Sequence, residues 1–211
     1  VKASHDNYQR IHIPGQQSYR AMTYHIEPDA SAASYFFAAA AITGGKIRVE
    51  GLGKECAQGD LTFVDVLEKM GCRVNREEHA TEVIGPERLK GIDIDLSAIS
   101  DTALTLAAIA PFADGPVTIR GLAHTREQET DRIAAPTTEL RRLDIEVEEH
   151  PDYMVIHPGT PKATAIETYD DHRMAMSFAL VGLRIPGIKI LDPACTAKTF
   201  PDYFIRLEAL R

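Results

Sequence analysis

Charged side chains lie at the start of three similar segments of the chain. Asp29, Asp101 and Asp171 each precede an apolar stretch, at separations of 72 residues (101 − 29) and 70 residues (171 − 101). Arg173 follows the third aspartate by two residues. A carboxylate can accept a proton as a general base, and a guanidinium can bind a carboxylate or phosphate with two hydrogen bonds. These residues could therefore act on small anions, although helix capping by each Asp is the alternative interpretation.

The elements that must position these side chains repeat with the same period. Each segment predicts an N-capping Asp, a helix that is apolar on almost every side, a glycine stop and an alternating strand. The first two are followed by an amphipathic helix and two short strands, and the third only by a helix over 201–210. The other predicted helices cover 60–70 and 130–143, and the predicted closing strands cover 73–75, 82–84, 146–148 and 154–157.

The three apolar helices are expected to form the centre of the fold, because a helix that is apolar on almost every side must be buried. Three units about a pseudo-threefold axis would place these helices inside and the sheets outside. If the helices run parallel, their N-termini meet on one face, each with about +0.5 charge and unpaired N–H groups. The sequence thus predicts an α/β fold with a local anion site, in which closing strands from outside this segment complete the third unit.

The composition is that of an ordinary globular protein. The 211 residues correspond to about 1.4 domains of typical size, and 44% apolar with 26% charged residues excludes collagen, coiled coil and global disorder. The net charge of −8 argues against a nucleic acid partner, which requires a basic surface. The longest apolar run covers only 35–42, so no membrane partner is expected, because a spanning helix needs about 20 residues.

The cysteines and histidines predict neither a disulfide nor a metal site. Cys56, Cys72 and Cys195 are odd in number and form no Cys-x-x-Cys pair, which favours packing roles in a reducing cytoplasm. The eight histidines are scattered, and no glycine motif for nucleotides occurs. His172 beside Asp171 is expected to be a satisfied structural histidine, and Cys195 is expected to be inert. No metal and no cofactor are expected.

The first 28 residues are expected to belong to a different module. Alternating stretches at 10–13 and 23–26 predict strands, and Pro28 directly precedes the first repeat. The first residue is Val rather than Met, from which we expect the chain to begin inside a longer protein. We therefore predict the tail and hinge of a preceding domain in residues 1–28 and a three-unit domain, incomplete in its last unit, in residues 29–211.

Four blocks of sequence carry a resemblance to a known enzyme family. They are Glu27-Pro-Asp-Ala-Ser-Ala-Ala-Ser-Tyr35, Glu129-Thr-Asp-Arg132, Tyr169-Asp-Asp-His-Arg-Met-Ala-Met176 and Ala197-Lys-Thr-Phe-Pro-Asp-Tyr203. Through them the whole chain resembles the C-terminal half of the 5-enolpyruvylshikimate-3-phosphate synthase family. The resemblance implies an inside-out α/β barrel of βαβαββ units, in which the family's N-terminal strand completes the last unit.

The resemblance also implies a reaction and its partners. The family transfers the enolpyruvyl group of phosphoenolpyruvate to the 5-hydroxyl of shikimate 3-phosphate and releases phosphate, without cofactor or metal. The implied partners are these two anionic substrates and the missing N-terminal half, in a cytoplasmic monomer, and the segment alone is expected to be inactive. The alternatives are the related transferase acting on UDP-N-acetylglucosamine and a noncatalytic anion-binding half that needs its partner segment.

The resemblance implies a base and an acid. Asp101 would accept the proton of the attacking hydroxyl, and Glu129 would protonate the methylene carbon of the enol, for which a raised pKa is useful. Asp29 keeps a capping role. From the residues alone, Asp101 is an N-cap and Glu129 lies in the first turn of a surface helix.

The same resemblance implies a set of substrate-binding residues. They are Asp101, Gln128, Arg132, Arg173 and Lys198, with His124 as a weaker candidate. Arg132 follows Glu129 by three residues, on one predicted helical face, and would hold the carboxylate of phosphoenolpyruvate together with Arg173. Lys198 would lie near its phosphate, and Gln128 stands where many relatives carry a lysine that contacts shikimate 3-phosphate. Salt bridges for the arginines and a solvated Lys198 are the alternatives.

Overall fold

The structure is a computed structural model that describes residues 1–210, so the last residue of the predicted domain 29–211 lies outside the described residues. The α-helices are α1 (Ala30–Thr43), α2 (Phe63–Lys69), α3 (Ala103–Ile109), α4 (Ala134–Arg142), α5 (His172–Ala179) and α6 (Tyr203–Glu208). The strands are β1 (Ser4–Asp6), β2 (Arg10–His12), β3 (Lys46–Glu50), β4 (Arg73–Arg76), β5 (Ala80–Ile84), β6 (Ile92–Asp95), β7 (Val117–Arg120), β8 (Val147–Glu149), β9 (Met154–Ile156), β10 (Ala165–Ile166) and β11 (Lys189–Ile190). Within residues 1–210, no helix is long and apolar enough to span a membrane.

Helix α1 begins and ends at residues that the sequence marks clearly. The Asp29 carboxylate accepts hydrogen bonds from the N–H groups of Ser31 and Ala32. Gly44 ends the helix in the left-handed conformation, at φ 69°, which glycine adopts without strain. Most of the side chains between these two residues are buried. Both the predicted cap and the predicted central position are confirmed for this helix.

The sheets lie around the three buried helices α1, α3 and α5. Strands β3, β5 and β4 form an antiparallel sheet in that order, and β6, β7, β9 and β8 form a second sheet in which β6 is parallel to β7. Strands β10 and β11 form a parallel pair, and β1 and β2 an antiparallel pair. Helix α3 contacts both α1 and α5, and the hydroxyls of Ser34 and Thr105 are 3.0 Å apart between α1 and α3.

The predicted order of elements is confirmed in the first two repeats, as α1–β3–α2–β4–β5 and α3–β7–α4–β8–β9. Strands β6 and β10, which precede α3 and α5 and pair with β7 and β11, were not predicted from the sequence. The strand predicted over 10–13 is present as β2. The strand predicted over 23–26 is wrong, because that segment is exposed and pairs with no strand of residues 1–210.

Four helices begin later than predicted. Helix α2 begins at Phe63 instead of 60, and α6 begins at Tyr203 instead of 201. Helix α3 begins two residues after Asp101, which itself lies in the 3₁₀ helix Ser97–Thr102. Helix α4 begins after Asp131, whose Oδ1 accepts hydrogen bonds from the N–H groups of Ile133 and Ala134 at 3.0 and 2.9 Å. A cap at Asp131 leaves the residues before it outside the helix. The second amphipathic helix is therefore shorter at its start than predicted.

The third unit has an open side. Within residues 1–210, β11 pairs with β10 alone. Leu191, which directly follows β11, is 51% exposed. Ile205, on α6, is 73% exposed. A strand without a neighbour leaves backbone N–H and C=O groups unpaired, so this edge can accept a further strand.

Candidate active site

A buried guanidinium lies at the amino ends of the central helices. The Arg132 side chain is 2% exposed. Its Nε donates to Asp171 Oδ2 at 2.8 Å, and its Nη1 donates to Asp101 at 3.1 Å and to Gln128 at 2.6 Å. Its Nη2 donates to Glu129 at 2.7 Å and to Asp171 Oδ1 at 3.3 Å. A guanidinium has five N–H donors, so every donor of Arg132 is used.

Arg173 lies beside this group in the first turn of α5, as predicted. Its backbone N–H donates to Asp171 Oδ1 at 2.8 Å, and its Nη2 donates to Asp101 Oδ2 at 2.6 Å. Burial would lower the pKa of Arg173, but the nearby Tyr35 and Asp101 raise it overall. The guanidinium therefore carries a positive charge where a helix N-terminus disfavours one.

Asp101 joins the two arginines instead of capping a helix. Its two carboxylate oxygens accept from Arg132 and from Arg173. Within residues 1–210, no backbone N–H at the start of α3 is bonded to this side chain. The N-cap interpretation of Asp101 is therefore wrong, because the 3₁₀ turn places the carboxylate against the guanidinium groups. A structural cap does not account for this residue.

Glu129 lies between two cations. Its Oε2 accepts from Arg132, and its Oε1 accepts from Lys198 Nζ at 3.2 Å. Burial would raise the pKa of Glu129, but its own backbone N–H, Arg132 and Lys198 lower it to about 2. The raised pKa expected for a general acid is therefore contradicted in this arrangement. The predicted helical face is also wrong, because Glu129 and Arg132 meet in the loop before α4.

The remaining predicted residues have different surroundings. Lys198 ends the 3₁₀ helix Pro193–Lys198, and its side chain is half exposed. His124 lies next to Ser100, with its Nε2 2.9 Å from the Ser100 hydroxyl, and within residues 1–210 it makes no hydrogen bond to either arginine. Gln128 accepts from Arg132, so its amide oxygen belongs to the cluster. The structure thus joins all the predicted binding residues except the weakest one.

His172 is buried, as predicted, but it is not satisfied. Its Nδ1 lies 3.5 Å from Asp171 Oδ1 and has no hydrogen-bond partner among residues 1–210. Burial lowers the pKa of His172, and so does the adjacent Arg173. Both effects favour the neutral form of the ring. No group of three or more His, Cys, Asp or Glu side chains in the described part of the chain could hold a metal ion.

The cysteines are unpaired, and their surroundings differ. Cys72 is part of the buried core, which confirms a packing role. Cys56 is partly exposed, and its thiol donates to the Glu27 carboxylate at 3.3 Å. Burial raises the pKa of Cys195, which disfavours the reactive thiolate. The inertness of Cys195 stays a prediction.

Tyr35 lies next to the cluster and was not predicted from the sequence as a site residue. It is fully buried in α1, with its hydroxyl near the Arg173 guanidinium but without hydrogen-bonding geometry. Its ring packs edge to face on Tyr203, at 5.7 Å between centroids. Its position six residues after the capping Asp29 was visible in the sequence, but a buried aromatic is usually a packing residue.

Solved structures with this fold define the class. EPSP synthase from Acinetobacter baumannii matches with a TM-score of 0.79 and 28% identity, over 87% of this chain and 46% of that chain. The enolpyruvyl transferase NikO from Streptomyces tendae matches with a TM-score of 0.68 over 88% of this chain and 43% of that chain, at 20% identity. The chain has the inside-out α/β fold of the enolpyruvyl transferases.

Within this class, the sequence identifies the family. The model of the EPSP synthase (3-phosphoshikimate 1-carboxyvinyltransferase) family matches residues 1–207, and the chain belongs to that family. Proteins named 3-phosphoshikimate 1-carboxyvinyltransferase from Nostoc punctiforme (strain ATCC 29133 / PCC 73102) and Serratia proteamaculans (strain 568) are 58% and 54% identical, over 93% and 100% of this chain. These matches cover 46% and 49% of the two relatives, so the chain spans about half the length of the curated relatives it matches.

Proposed function

We propose that the protein containing this chain transfers the enolpyruvyl group of phosphoenolpyruvate to the 5-hydroxyl of shikimate 3-phosphate, with release of phosphate. The observation that carries the proposal is the carboxylate of Asp101 between Arg132 and Arg173, at the amino ends of the central helices. The arrangement pairs a proton acceptor with two cations suited to an anionic substrate. It occurs in a chain of the EPSP synthase family.

The two arginines are the proposed site for the carboxylate of phosphoenolpyruvate. Because every donor of Arg132 is used, a bound carboxylate must replace one of its present acceptors. Asp101 and Glu129 are partly exposed and can be displaced, whereas Asp171 is fully buried. Among residues 1–210, Arg173 makes one side-chain hydrogen bond to a carboxylate, so it can receive the substrate first.

Asp101 is the proposed base and Glu129 the proposed acid. Asp101 accepts the hydroxyl proton as that oxygen bonds to C2 of phosphoenolpyruvate, and Glu129 gives a proton to C3. Phosphate then leaves C2 while C3 returns a proton to Glu129, and the proton on Asp101 passes to the departing phosphate. When the substrate carboxylate takes the place of Glu129 at Arg132, Glu129 loses a neighbouring cation. This loss raises the pKa of Glu129. Substrate binding thereby increases the fraction of Glu129 that carries the proton needed at C3.

Lys198 and Gln128 are the further proposed contacts. Lys198 is half exposed and its ammonium already lies on the carboxylate of Glu129, so it can turn to the phosphate of phosphoenolpyruvate. Gln128 offers shikimate 3-phosphate a neutral amide, which supplies a hydrogen bond but no charge. The substrates therefore bind mainly through the arginines and Lys198 on this half of the site.

The chain supplies only part of the proposed enzyme. We assign residues 1–28 to the tail and hinge of an N-terminal domain and residues 29–211 to the C-terminal domain, because the β1–β2 pair stands apart from the repeats that start at Asp29. The N-terminal half completes the third unit and the substrate site, so this segment alone is inactive. We further propose a monomer in the cytoplasm, where the three unpaired cysteines stay reduced.

Phosphate release tests this function. We expect no release from phosphoenolpyruvate and shikimate 3-phosphate with this chain alone, and release when it is mixed with its N-terminal half. Turnover by the chain alone would contradict the half-site assignment. Release with UDP-N-acetylglucosamine instead of shikimate 3-phosphate would identify the related transferase, and binding of phosphoenolpyruvate without release would identify a noncatalytic module.

Asp101→Asn tests the assigned base in the full-length protein. The amide keeps the size of the side chain but cannot accept the hydroxyl proton, so we expect kcat to fall by at least ~10²-fold. Asp152→Asn is the matched control, because Asp152 is exposed and its carboxylate makes no hydrogen bond or ion pair within residues 1–210. Near-normal kcat in Asp101→Asn would remove this residue from the mechanism.

A further inference from the structure

The buried carboxylate of Glu139 lies outside the candidate site and holds the segment that leads into it. Glu139 is fully buried in α4, and Arg142 Nη1 donates to both of its oxygens at 2.8 Å. The Glu167 N–H donates to Oε2 at 3.1 Å, and the Tyr169 hydroxyl donates to Oε1 at 2.8 Å. A buried carboxylate is stable only with such partners. These hydrogen bonds connect α4 to the turn before α5.

The backbone of this turn has a conformation that side chains disfavour. Tyr169 and Asp170 have φ values of 54° and 57°, in the left-handed region. This region costs a non-glycine residue about 1 kcal/mol or more, and it suits Asp better than a bulky residue. Such a conformation persists where surrounding bonds hold it, and the hydrogen bond to Glu139 holds Tyr169. Burial raises the pKa of Tyr169 to about 12, helped by Glu139, so the hydroxyl remains a donor.

The next residue, Asp171, connects both arginines. Its carboxylate accepts from Arg132 Nε at 2.8 Å and from the backbone N–H of Arg173 at 2.8 Å. Arg132 precedes α4, and Glu139 follows it by seven residues (139 − 132). The α4 region therefore contacts the start of α5 at two points, through Arg132 and through Glu139. These two contacts hold the backbone of Arg173 relative to Arg132, in addition to the bridge from Asp101 to both guanidinium groups.

We propose that Glu139 and Tyr169 are positioning residues, whose hydrogen bond holds the turn before α5 so that Arg173 and Arg132 can bind one carboxylate together. The inference rests on the proposed function, because it concerns the affinity for phosphoenolpyruvate. Neither side chain takes part in the chemical steps. Their contribution is to the geometry of the carboxylate site before the substrate arrives.

Tyr169→Phe in the full-length protein removes the hydroxyl and keeps the ring. We expect the KM for phosphoenolpyruvate to rise about tenfold, with kcat and the KM for shikimate 3-phosphate changed less than about twofold. Tyr169→Asn also lacks the hydrogen bond to Glu139, but asparagine tolerates a left-handed backbone, so this variant should raise the KM for phosphoenolpyruvate less. Tyr153→Phe, at a ring stacked on His150 in the turn between β8 and β9, is the matched control and should leave all three constants unchanged.

An equal rise in both KM values, or no rise in Tyr169→Phe, would overturn the positioning role. A merely structural defect lowers the active fraction and hence kcat, and does not select one substrate. If the wild-type full-length protein shows no turnover, the proposed function fails, and crystal structures decide the positioning role separately. A changed distance between Arg132 and Arg173 in Tyr169→Phe supports the inference, and an unchanged distance overturns it.

Discussion

Arg132 combines deep burial with a complete set of polar partners. Removing one partner of a buried ion pair costs about 3–5 kcal/mol, because it leaves a charge without compensation. The partners of Arg132 include Asp101 and Glu129, to which we assign the chemistry. The hydrogen bonds that stabilise the fold at this point are thus the same bonds that a substrate must exchange. Substitutions of Arg132 are therefore expected to affect folding and binding together.

The pKa of Glu129 makes part of the stability dependent on pH. Because the folded protein lowers this pKa from 4.5 to about 2, ionised Glu129 contributes stability above pH 4.5 that is lost as the pH falls through about 2. We expect Glu129→Gln to lower the melting temperature of the full-length protein at neutral pH. This difference from wild type should shrink as the pH falls below about 4.5.

The matched control for this measurement is Glu127→Gln, at an exposed residue of the same segment. It should leave the melting temperature close to that of wild type at neutral pH. If the difference between Glu129→Gln and wild type stayed constant from neutral to acid pH, the cations beside Glu129 would not be lowering its pKa.

For single residues, the sequence predicts which ones form the candidate site better than it predicts their hydrogen-bond partners. Residue type and motif position were enough to identify four candidate site residues, Asp101, Glu129, Arg132 and Arg173. The bridge from Asp101 to both arginines was not, because its partners are 31 and 72 residues away in sequence. The lowered pKa of Glu129 depends on the same kind of distant contact, with Lys198 at a separation of 69 residues.

The buried helices depend on local signals at their ends to different degrees. Helix α1 has a side-chain cap and a glycine stop. Helix α5 has the Asp171 cap. Helix α3 has no side-chain cap and continues from a 3₁₀ helix. Helix boundaries are therefore predictable where a cap makes its local bonds, and they shift where the candidate cap is bonded elsewhere, as Asp101 is.

Asp29→Ala tests the cap of α1. The loss of the two hydrogen bonds to Ser31 and Ala32 should lower the free energy of unfolding by about 1 kcal/mol, measured by urea denaturation of the full-length protein. Asp29→Asn is the matched control, because an asparagine oxygen can accept the same bonds. An Asp29→Ala protein as stable as wild type would show that tertiary packing alone sets the start of α1.

Strands were harder to predict than the buried helices. Strand β6 alternates Ile and Asp, so a period-two signal for it was present in the sequence. Strand β10 covers two residues and exists as a strand through its pairing with β11. Residues 23–26 show the opposite case, since they alternate without a neighbouring strand among residues 1–210. Pairing partners decide strands, and a single segment does not reveal its partner.

The whole molecule is a set of three units that are unequally complete. The first two units have closing strands that cover their helices, whereas β11 has an open edge. Stability is lowest where few contacts protect the backbone. The third unit is therefore expected to open more readily than the other two when the chain is isolated.

Hydrogen exchange measures this difference. In the isolated chain, the amides of β10 and β11 should exchange faster than those of β5 and β7, which lie inside their sheets. Addition of the N-terminal half should slow exchange in β10 and β11 and leave β5 unchanged. Equal protection of all four strands in the isolated chain would contradict the proposal that outside strands complete the third unit.

The hydrogen bonds of Arg132 also affect how the chain folds while the ribosome is synthesising it. A ribosome makes Arg132 before Asp171, which follows it by 39 residues and accepts two of its five hydrogen bonds. Until that stretch has left the exit tunnel, the guanidinium lacks its buried acceptor and stays in water. The first two units can therefore assemble only in part during translation, and their shared face closes when the third buried helix, α5, arrives.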